Sequence, residues 1–260
     1  MKYLKFVFDL DGTVCFRGQP ICEKILQSLS ELQSVGIEVI FASARPIRDI
    51  LPVIDEAFHQ YTMIGENGSL IAKDGKIIKS HSFSINEINE INNLIDQYNS
   101  TYLIDGEWDY AYTGPDNHSI LQNLDPANLA NNVSLESLNS VVKVLIITSD
   151  NMDALAEELL KLDVYVNKHS KEDVLDISPG GINKWGALKS LGIKENTYIA
   201  FGNDANDITM FENALHTIMI GYHDELALLA KENISLDGDY EQKIATRISE
   251  LSEKYRLLQI

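Results

Sequence analysis

Hydrophobic residues in the first part of the chain form short runs that alternate with segments of helical spacing. Residues 5–8 make an apolar run of strand length that ends at Asp9, and residues 37–41 make a second run that ends before Ser43. Between the two runs, apolar side chains recur on one helical face, and Gly36 follows as a stop signal. This strand, helix, strand unit predicts two parallel strands joined by a right-handed crossover.

The same kind of pattern predicts further elements on both sides of a long central segment. Before that segment, we predict a helix after Pro46, a strand at 61–64, and a hairpin of 70–72 with 76–78. Pro52 indicates that this helix is kinked or starts later. After it, we predict a helix at 183–190, a strand at 197–201, a short helix at 208–213, strands at 217–220 and 234–236, and a C-terminal amphipathic helix over 240–255.

The central segment has a different order of elements. We predict a helix at 84–99, strands at 101–104, 108–113 and 141–148, a helix at 152–162, and strands at 164–166 and 174–177. This order is typical of an antiparallel α+β domain. The sequence therefore predicts an α/β fold, with a Rossmann-like doubly wound parallel sheet formed by 1–81 and 178–260 and an inserted α+β domain at 82–177.

Three aromatic residues, Trp108, Tyr110 and Tyr112, share one face of a predicted strand in the inserted domain. They could form a substrate-facing wall or belong to the domain's own core. We favour the core, because aromatic residues in strands usually pack against their neighbours.

The composition limits the classes of partner. The chain of 260 residues carries 39 acidic against 21 basic residues, a net charge of −18, which disfavours nucleic acid and leaves small phosphorylated substrates possible. Two cysteines, no apolar run of membrane-spanning length and no signal peptide predict a cytoplasmic protein without a membrane partner. The pattern carries no signal for an oligomeric state, and the six histidines show no ligand spacing.

Polar residues follow several of the predicted strands. Asp9 and Asp11 follow the first strand, Ser43 follows the second, and Lys184 begins a helix. A further group follows the strand at 197–201: Asn203, Asp204, Asn206 and Asp207. Because the carboxyl ends of parallel strands meet at one edge of a sheet, we expect these side chains to lie together. Oxygen ligands near a lysine suit Mg²⁺ and a phosphate.

Each of these signals also has a purely structural interpretation. Asp9 to Gly12 could be only a turn, since Asp and Gly dominate turns. Ser43 could cap a helix before Pro46, and Lys184 could be an exposed helix residue. The interpretation as a site depends on the segments occurring together.

The combined pattern resembles the haloacid dehalogenase-like hydrolase superfamily, and the inserted domain resembles the C2 cap of its Cof-type phosphatases. The matching motifs are Phe8-Asp9-Leu10-Asp11-Gly12-Thr13, Ser43-Ala44-Arg45-Pro46, Lys184 within 181–188, Phe201-Gly202-Asn203-Asp204-Ala205-Asn206-Asp207-Ile208, and an echo of Ser-Asn-Gly-Ala at Glu66-Asn67-Gly68-Ser69.

The resemblance implies a role for each matching residue. Asp9 attacks phosphorus and forms an aspartyl phosphate, Asp11 protonates the departing alcohol and then takes a proton from water, and Lys184 offsets charge in the transition state. The implied substrate-binding residues are Leu10, Ser43, Ala44, Lys184 and Asn206. The implied Mg²⁺ ligands are Asp9, the backbone carbonyl of Asp11, and one or more of Asn203, Asp204 and Asp207.

One position departs from the family's pattern. Asn203 stands where the family usually has an acidic residue. We therefore expect Asp204 to ligate the metal directly or through water, with Asn203 as a neutral ligand. Asp207 is either the fallback ligand or an anchor for Lys184.

The predicted function is a Mg²⁺-dependent phosphatase of a small phosphorylated metabolite, such as a sugar phosphate, whose inserted domain opens and closes over the site. A phosphomutase shares these motifs and is one alternative. A receiver-like signalling or metabolite-binding module is the other, although in receivers the phosphorylated Asp ends a middle strand, whereas Asp9 ends the first strand.

Overall fold

The structure is a computed structural model that describes residues 4–169 and 174–257. Residues 1–3 and 258–260 of the predicted parallel domain, and residues 170–173 of the predicted inserted domain, lie outside the described residues.

Two sheets contain the strands. In chain order the strands are β1 (Lys5–Phe8), β2 (Glu38–Ala42), β3 (Thr62–Gly65), β4 (Leu70–Lys73), β5 (Lys76–Ser80), β6 (Thr101–Asp105), β7 (Tyr110–Tyr112), β8 (Lys143–Thr148), β9 (Val164–His169), β10 (Val174–Pro179), β11 (Tyr198–Gly202), β12 (His216–Ile220) and β13 (Glu232–Ile234). The helices are α1 (Glu23–Ser34), α2 (Ile47–Ile50), α3 (Ile85–Gln97), α4 (Met152–Leu159), α5 (Lys184–Ser190), α6 (Ile208–Glu212), α7 (Asp224–Ala227) and α8 (Tyr240–Leu257).

The first sheet has eight strands in the order β13-β12-β11-β1-β2-β3-β4-β5. Strands β13 to β3 run parallel, and β4 and β5 add an antiparallel hairpin at one edge. Strand β1 lies between β2 and β11, with Phe8 in register with Phe41 and Phe201. The residue that follows Phe8 is therefore flanked by strands on both sides at the sheet's carboxyl edge.

Both faces of the first sheet are covered by helices. Phe6 and Phe8 point to the face that α1 and α8 cover, whereas Val7 packs with residues of α5, α6 and α7 on the opposite face. This alternation follows from the two-residue period of a strand. The predicted doubly wound α/β fold is confirmed.

The second sheet has five antiparallel strands in the order β7-β6-β8-β10-β9. Helices α3 and α4 cover one face through Ile91, Ile95, Leu155 and Leu159. All five strands belong to the central segment of the sequence, and their order agrees with the predicted series of helices and strands.

Several predicted elements differ in extent. The α-helix after Pro46 ends at Ile50, because Pro52 has no N–H for an α-helical bond. Two 3₁₀ turns follow it, at Leu51–Val53 and Glu56–Phe58.

Strand β10 runs on to Pro179, which pairs with Val164, so the second sheet ends beyond the predicted domain boundary at 177. The division into two domains stays a prediction.

Two further elements depart from expectation at the end of the chain. The short helix α7 was not predicted, because a four-residue helix shows no periodic pattern. The edge strand β13 occupies Glu232–Ile234, whereas we predicted it at 234–236.

The three aromatic residues of the inserted segment are packed. Tyr110 and Tyr112 lie against the buried Leu103, and Trp108 lies against the core of the first sheet. The Trp108 indole N–H donates to the carbonyl of Leu129 at 2.7 Å. The prediction that these residues belong to the inserted domain's own core agrees with Tyr110 and Tyr112 and is wrong for Trp108, which packs against the first sheet.

Within residues 4–169 and 174–257, no helix combines the length and the apolar character needed to cross a bilayer.

Candidate active site

The loop after β1 is a tight turn built on the carbonyl of Leu10, which accepts the backbone N–H groups of Thr13, Val14 and Cys15 at 3.1, 3.0 and 2.8 Å. Gly12 has φ +80°, a left-handed conformation that favours glycine. The Leu10 side chain is fully buried, so only the backbone of this predicted substrate-binding residue can reach a ligand.

Asp9 lies at the centre of the site, with only 4% of its surface exposed. One carboxylate oxygen accepts from the ammonium of Lys184 at 2.7 Å, and the other accepts from the hydroxyl of Thr13 at 2.9 Å. Lys184 is the first residue of α5, which Asn183 caps by accepting the N–H of Gly186 at 2.8 Å. The structure thus brings together Asp9 and Lys184, as predicted from distant parts of the sequence.

Asp207 holds Lys184 from the other side. Its Oδ1 accepts from the Lys184 ammonium at 2.7 Å, and its Oδ2 accepts from the backbone N–H groups of Asn203 and Asp204 at 2.8 and 3.2 Å. Protein donors occupy both oxygens of this fully buried carboxylate. Of the two roles considered for Asp207, this geometry favours the anchor for Lys184 over the metal ligand.

Burial controls the ionisation of this group. Burial raises the pKa of Asp9 to about 7, whereas the charge of Lys184 lowers it and that of Asp207 raises it. Burial alone would lower the pKa of Lys184, but the charges of Asp207 and Asp9 raise it above its ordinary value. Lys184 therefore stays protonated between the two carboxyl groups.

Asn203 lies beside Asp9, since both of their side chains contact the hydroxyl of Thr13. The Asn203 Oδ1 is 3.1 Å from that hydroxyl, which has one proton to share between two acceptors. A Cβ at Gly12 would lie 2.3 Å from the Asn203 amide nitrogen. Glycine at this position thus allows the Asn203 amide to approach the turn closely.

Asp204 is more exposed than the other acidic residues of its loop. About two thirds (66%) of its side chain is accessible, one oxygen accepts the N–H of Ala205 at 2.7 Å, and the same oxygen is 3.6 Å from His223. It lines the same cleft as Asp9 and Asn203.

The oxygen atoms of Asp9 and its neighbours are of the chemical type that binds Mg²⁺. In the described part of the chain, no group of three or more His, Cys, Asp or Glu side chains is arranged as a metal site. Mg²⁺ is usually held by one or two carboxylates and keeps several waters. The Asp9 carboxylate and the Asn203 amide oxygen, which share contact with Thr13, match that sparse donor set.

Asp11 makes a bidentate ion pair with Arg45. Arg45 Nε and Nη2 donate to the two Asp11 oxygens at 2.7 and 2.6 Å, and Arg45 Nη1 donates to the carbonyl of Asp49 at 3.2 Å. Half of the Asp11 side chain is exposed. Sequence reasoning missed this pair, although the position of Arg45 just after β2, the neighbour of β1, was an available signal.

Ser43 and Asn206 lie on opposite sides of Asn67. The Ser43 carbonyl accepts the Asn67 N–H at 3.0 Å, and the Asn206 amide donates to the Asn67 Oδ1 at 3.1 Å. The buried Ser43 hydroxyl accepts the N–H of Arg45 at 3.1 Å, so it stabilises the turn before α2, but the N-cap of that helix is Pro46 and not Ser43.

A cleft of 420 Å³ connects these groups. Its described lining consists of Asp9, Asp11, Ser43, Ala44, Asn67, Tyr165, Asn167, Asp176, Ser178, Asn203, Asp204, Ala205 and Asn206. A larger cavity of 530 Å³ lies between β5 and α5, but no predicted catalytic residue lines it. The smaller cleft is therefore the candidate active site, with the first sheet on one side and β9 and β10 on the other.

Comparison with known proteins identifies the family. The sequence profile of the haloacid dehalogenase-like hydrolases matches residues 6–238, a span that includes every residue assigned to the candidate site. The chain belongs to this family. The predicted Cof-type relationship and the predicted enzyme class, a haloacid dehalogenase-like phosphatase, are confirmed.

The relatives are distant but similar over most of their length. The HMP-PP phosphatase of Cronobacter sakazakii is 24% identical over 238 residues, which cover 82% of each chain. The 5-amino-6-(5-phospho-D-ribitylamino)uracil phosphatase YitU of Bacillus subtilis is 23% identical, over 79% of this chain and 82% of its own. A solved haloacid dehalogenase-like hydrolase from Bacteroides thetaiotaomicron shares the fold, with a TM-score of 0.79, 19% identity and coverage of 96% of this chain and 100% of its own.

In this hydrolase, buried ion pairs join the two sheets. Arg48 of α2 is almost fully buried, pairs with Asp105 of β6, and donates to the carbonyl of Trp108 at 2.9 Å. Lys143 of β8 is 3.1 Å from Glu66, which follows β3. Sequence reasoning missed these pairs, because an isolated Lys or Glu in a sequence does not show which distant residue it meets.

Two buried carboxyl groups at these contacts have raised pKa values: Glu66, and Asp49, which lies 3.8 Å from the Arg48 guanidinium. Burial raises the pKa of Glu66 to about 8, although the charge of Lys143 lowers it. Burial likewise raises the pKa of Asp49 to about 6, against the lowering effect of Arg48. The pairs thus contain acids that hold their protons more tightly than exposed carboxyl groups do.

Proposed function

We propose that this chain is a Mg²⁺-dependent phosphatase that hydrolyses a small phosphorylated metabolite through an aspartyl phosphate on Asp9. The observation that carries the proposal is the contact of Lys184 with Asp9 at 2.7 Å, at the carboxyl end of the central strand and beside a 420 Å³ cleft. A nucleophile needs a fixed position, and a buried cation next to it stabilises the charge of the transferring phosphoryl group.

In the proposed reaction, a carboxylate oxygen of Asp9 forms a bond to phosphorus while the bond from phosphorus to the substrate oxygen breaks. Once Asp11 has left Arg45 and taken a proton from solvent, it gives that proton to the leaving oxygen. In the second step Asp11 takes a proton from a water whose oxygen bonds to phosphorus while the bond from phosphorus to Asp9 breaks. Asp11 must exchange its contact with Arg45 for one with the leaving group. We propose that substrate binding brings about this exchange.

The phosphoryl oxygens would be held by groups around the nucleophile. Lys184 contributes its charge, and Ser43, Ala44 and Asn206 line the cleft next to it. Leu10 would take part only through its backbone, because its side chain is buried in the core.

The residues that would hold Mg²⁺ are Asp9, Asn203 and the backbone carbonyl of Asp11, with Asp204 linked through water. When bound, the ion supplies positive charge to the phosphoryl oxygens. Asp207 is not among the proposed ligands, because it is fully buried, does not line the cleft as Asp9 does, and has its oxygens occupied by Lys184 and two backbone N–H groups.

We also propose that the enzyme acts in the cytoplasm on small substrates and binds no nucleic acid, which agrees with its net charge of −18. The second sheet would close over the cleft during turnover and exclude water.

Phosphate release from p-nitrophenyl phosphate and from a panel of sugar phosphates, with and without Mg²⁺, tests the proposal. The Asp9→Asn variant should lose at least about 10³-fold in kcat, because the nucleophile is gone. Asp55→Asn, which changes an exposed carboxylate that caps a 3₁₀ turn, should keep the wild-type rate. Release that persists in Asp9→Asn, or that needs no metal, would contradict the proposal, and transfer of phosphate within the substrate without release would indicate a mutase.

A further inference from the structure

The turn that follows β3 has an unusual backbone conformation. Glu66, Asn67 and Gly68 have φ values of +50°, +55° and +124°, so three consecutive residues lie at positive φ. Glycine adopts such angles freely and asparagine tolerates them, whereas glutamate is strained there. A strained residue persists only where the surrounding structure holds it, and such residues cluster at functional sites. We call residues 66–68 the positive-φ turn.

Backbone hydrogen bonds join the positive-φ turn to the loop that follows β2. The N–H of Glu66 donates to the carbonyl of Arg45 at 2.9 Å, and the N–H of Asn67 donates to the carbonyl of Ser43 at 3.0 Å. Both Ser43 and Asn67 line the active-site cleft. The turn therefore fixes one part of the wall that would surround a phosphoryl group.

The positive-φ turn also contacts two other loops that carry proposed phosphate-binding groups. The Asn67 Oδ1 accepts from the amide of Asn206 at 3.1 Å. A Cβ at Gly68 would lie 2.6 Å from the carbonyl of Asn183, so the turn packs directly on the residue that precedes Lys184. A change in the backbone of the turn would thus move groups on several sides of the cleft.

Lys143, on β8 of the second sheet, contacts the positive-φ turn through the side chain of Glu66. Its ammonium lies 3.1 Å from the carboxylate of Glu66, which is only 1% exposed. The same ammonium lies 3.4 Å from the carboxylate of Asp176 and 3.4 Å from the carbonyl of Ala44. Rotation of residue 66 to a negative φ would carry its side chain away from this buried cation, which is costly. Lys143 therefore opposes relaxation of the turn.

We propose that Lys143 and Glu66 are positioning residues, whose contact holds the positive-φ turn in its strained conformation and thereby places the groups that bind the phosphoryl group. The inference rests on the proposed phosphatase function and adds that a residue of the second sheet sets the affinity of the first sheet's loops for phosphate. Lys143 is not among the described residues that line the cleft, so it acts through the turn and not by contact with the substrate.

Inorganic phosphate, a product of the proposed reaction, is the probe. Its inhibition constant is measured together with kcat and KM for p-nitrophenyl phosphate. Lys143→Met should raise the inhibition constant and KM by at least about tenfold, because displaced groups hold the phosphoryl group less well, and should lower kcat by a smaller factor. A loss of folded enzyme alone would lower the apparent kcat and leave KM and the inhibition constant unchanged, and that result would overturn the inference.

Arg48→Met is the matched control. Arg48 is also a buried cation between the two sheets, but its hydrogen bonds go to Asp105 and to the carbonyl of Trp108. We therefore expect Arg48→Met to keep an inhibition constant for phosphate close to the wild-type value. An equal rise in Arg48→Met and Lys143→Met would show that the attachment of the second sheet, and not the positive-φ turn, sets the affinity, which would also overturn the inference.

Two substitutions of Asn67 test the backbone of the turn without removing a buried charge. Asn67→Gly and Asn67→Ala both remove the contact with Asn206, but only alanine is strained at φ +55°. We expect the inhibition constant for phosphate to be about fivefold higher in Asn67→Ala than in Asn67→Gly. Equal constants would contradict the role of the turn. Thermal melting identifies any variant that fails to fold, and if Lys143→Met is one, the Asn67 pair decides.

The outcomes separate this inference from the proposed function. If the wild type releases phosphate from p-nitrophenyl phosphate while Lys143→Met keeps the wild-type inhibition constant, the inference fails and the phosphatase function stands. If the wild type releases no phosphate, the proposed function fails, and the inference fails with it.

Discussion

Lys184 is a fully buried lysine whose ammonium contacts two carboxylates, Asp9 and Asp207. Taking three charges out of water is costly, and the mutual attraction offsets that cost only while all three are present. In the proposed reaction, the same contacts would hold Asp9 and a cation next to the phosphoryl group. The proposal therefore makes folding and chemistry depend on the same atoms at this position.

Lys184→Met should therefore damage both stability and activity. It leaves Asp9 and Asp207 buried without their cation, so we expect the free energy of unfolding at pH 8 to fall by about 3–5 kcal/mol and phosphate release to be lost. The loss of stability should be smaller at pH 5, which lies below the pKa of about 7 that burial gives Asp9, so that this carboxyl group takes up a proton. Urea unfolding of the wild type and the variant at both pH values measures the loss in free energy of unfolding. An equal loss at pH 5 and pH 8 would show that the buried charge is not its cause.

Glu66 predicts a pH dependence of stability. Its pKa is about 8 in the folded protein, against an ordinary value of 4.5. The folded state thus keeps a proton that the unfolded chain releases, so this contribution to stability is complete below about pH 4.5 and decreases as the pH rises towards 8, by up to about 1.4 kcal/mol per pH unit.

Glu66→Gln removes that titration. Urea unfolding between pH 5 and pH 8 should show the wild type losing stability relative to the variant as the pH rises. Glu56→Gln, an exposed residue of a 3₁₀ turn, should follow the wild-type curve. Parallel curves for the wild type and Glu66→Gln would exclude this role for Glu66.

At the scale of residues, the sequence predicted which side chains lie together at the sheet edge but not which partners they have. Asp9 and Lys184 were expected at one sheet edge because strand ends and a helix start can be located from periodicity. Arg45 and Lys143 were not expected as partners of Asp11 and Glu66, because those pairs form between segments whose relative position only the folded chain defines.

At the scale of elements, the turn after β1 depends on Gly12. This residue has φ +80°, and a Cβ there would collide with the Asn203 amide at 2.3 Å. Gly36 has the same φ of +80° at the end of α1, but a Cβ there would meet no atom within 4 Å. The two glycines share a conformation and differ in what surrounds them.

Gly12→Ala and Gly36→Ala form a matched pair. Both should lose about 1 kcal/mol of stability from the strained φ. Only Gly12→Ala should also raise the Mg²⁺ concentration needed for half-maximal phosphate release, because it displaces Asn203 from its place beside Asp9. The same Mg²⁺ requirement in both variants would argue against Asn203 as a ligand.

Element boundaries show where periodic patterns lose their value. Pro52 was expected to disturb the helix after Pro46, and the α-helical part indeed ends at Ile50. A 3₁₀ turn follows, which satisfies the local carbonyl groups without the N–H that proline lacks. We predicted that the first domain resumes at Ser178, but Pro179 ends a paired strand of the second sheet. Proline is tolerated at such a strand end, so its presence did not mark the boundary.

At the scale of the whole molecule, the two sheets are held together by charges buried between them. Arg48 pairs with Asp105 across this contact and lies 5.1 Å from the ring of Tyr110. Closure of the second sheet over the cleft stays a prediction, and any such movement must keep or replace these contacts.

Arg48→Met should loosen the second sheet. We expect faster hydrogen exchange in β6 and β8, unchanged exchange in β11, and a loss of about 3 kcal/mol in unfolding free energy, because Asp105 is left buried without its partner. Arg247→Met is the control, since Arg247 pairs with Glu232 within the first sheet's side of the molecule. Equal exchange in β6 in both variants would show that Arg48 does not hold the sheets together.

Strand β10 and helix α5 are consecutive in the chain, and together they carry Asp176, Ser178 and Lys184. The strand that lines the cleft wall opposite Asp9 is therefore joined by a short loop to the lysine that contacts Asp9. Replacing β10 alone with the corresponding strand of a relative would also displace Lys184. We expect such a chimera to change the rate of phosphate release together with the substrate selectivity. Variants that accept new substrates are best sought by substituting side chains on β9, because this strand is not joined directly to α5.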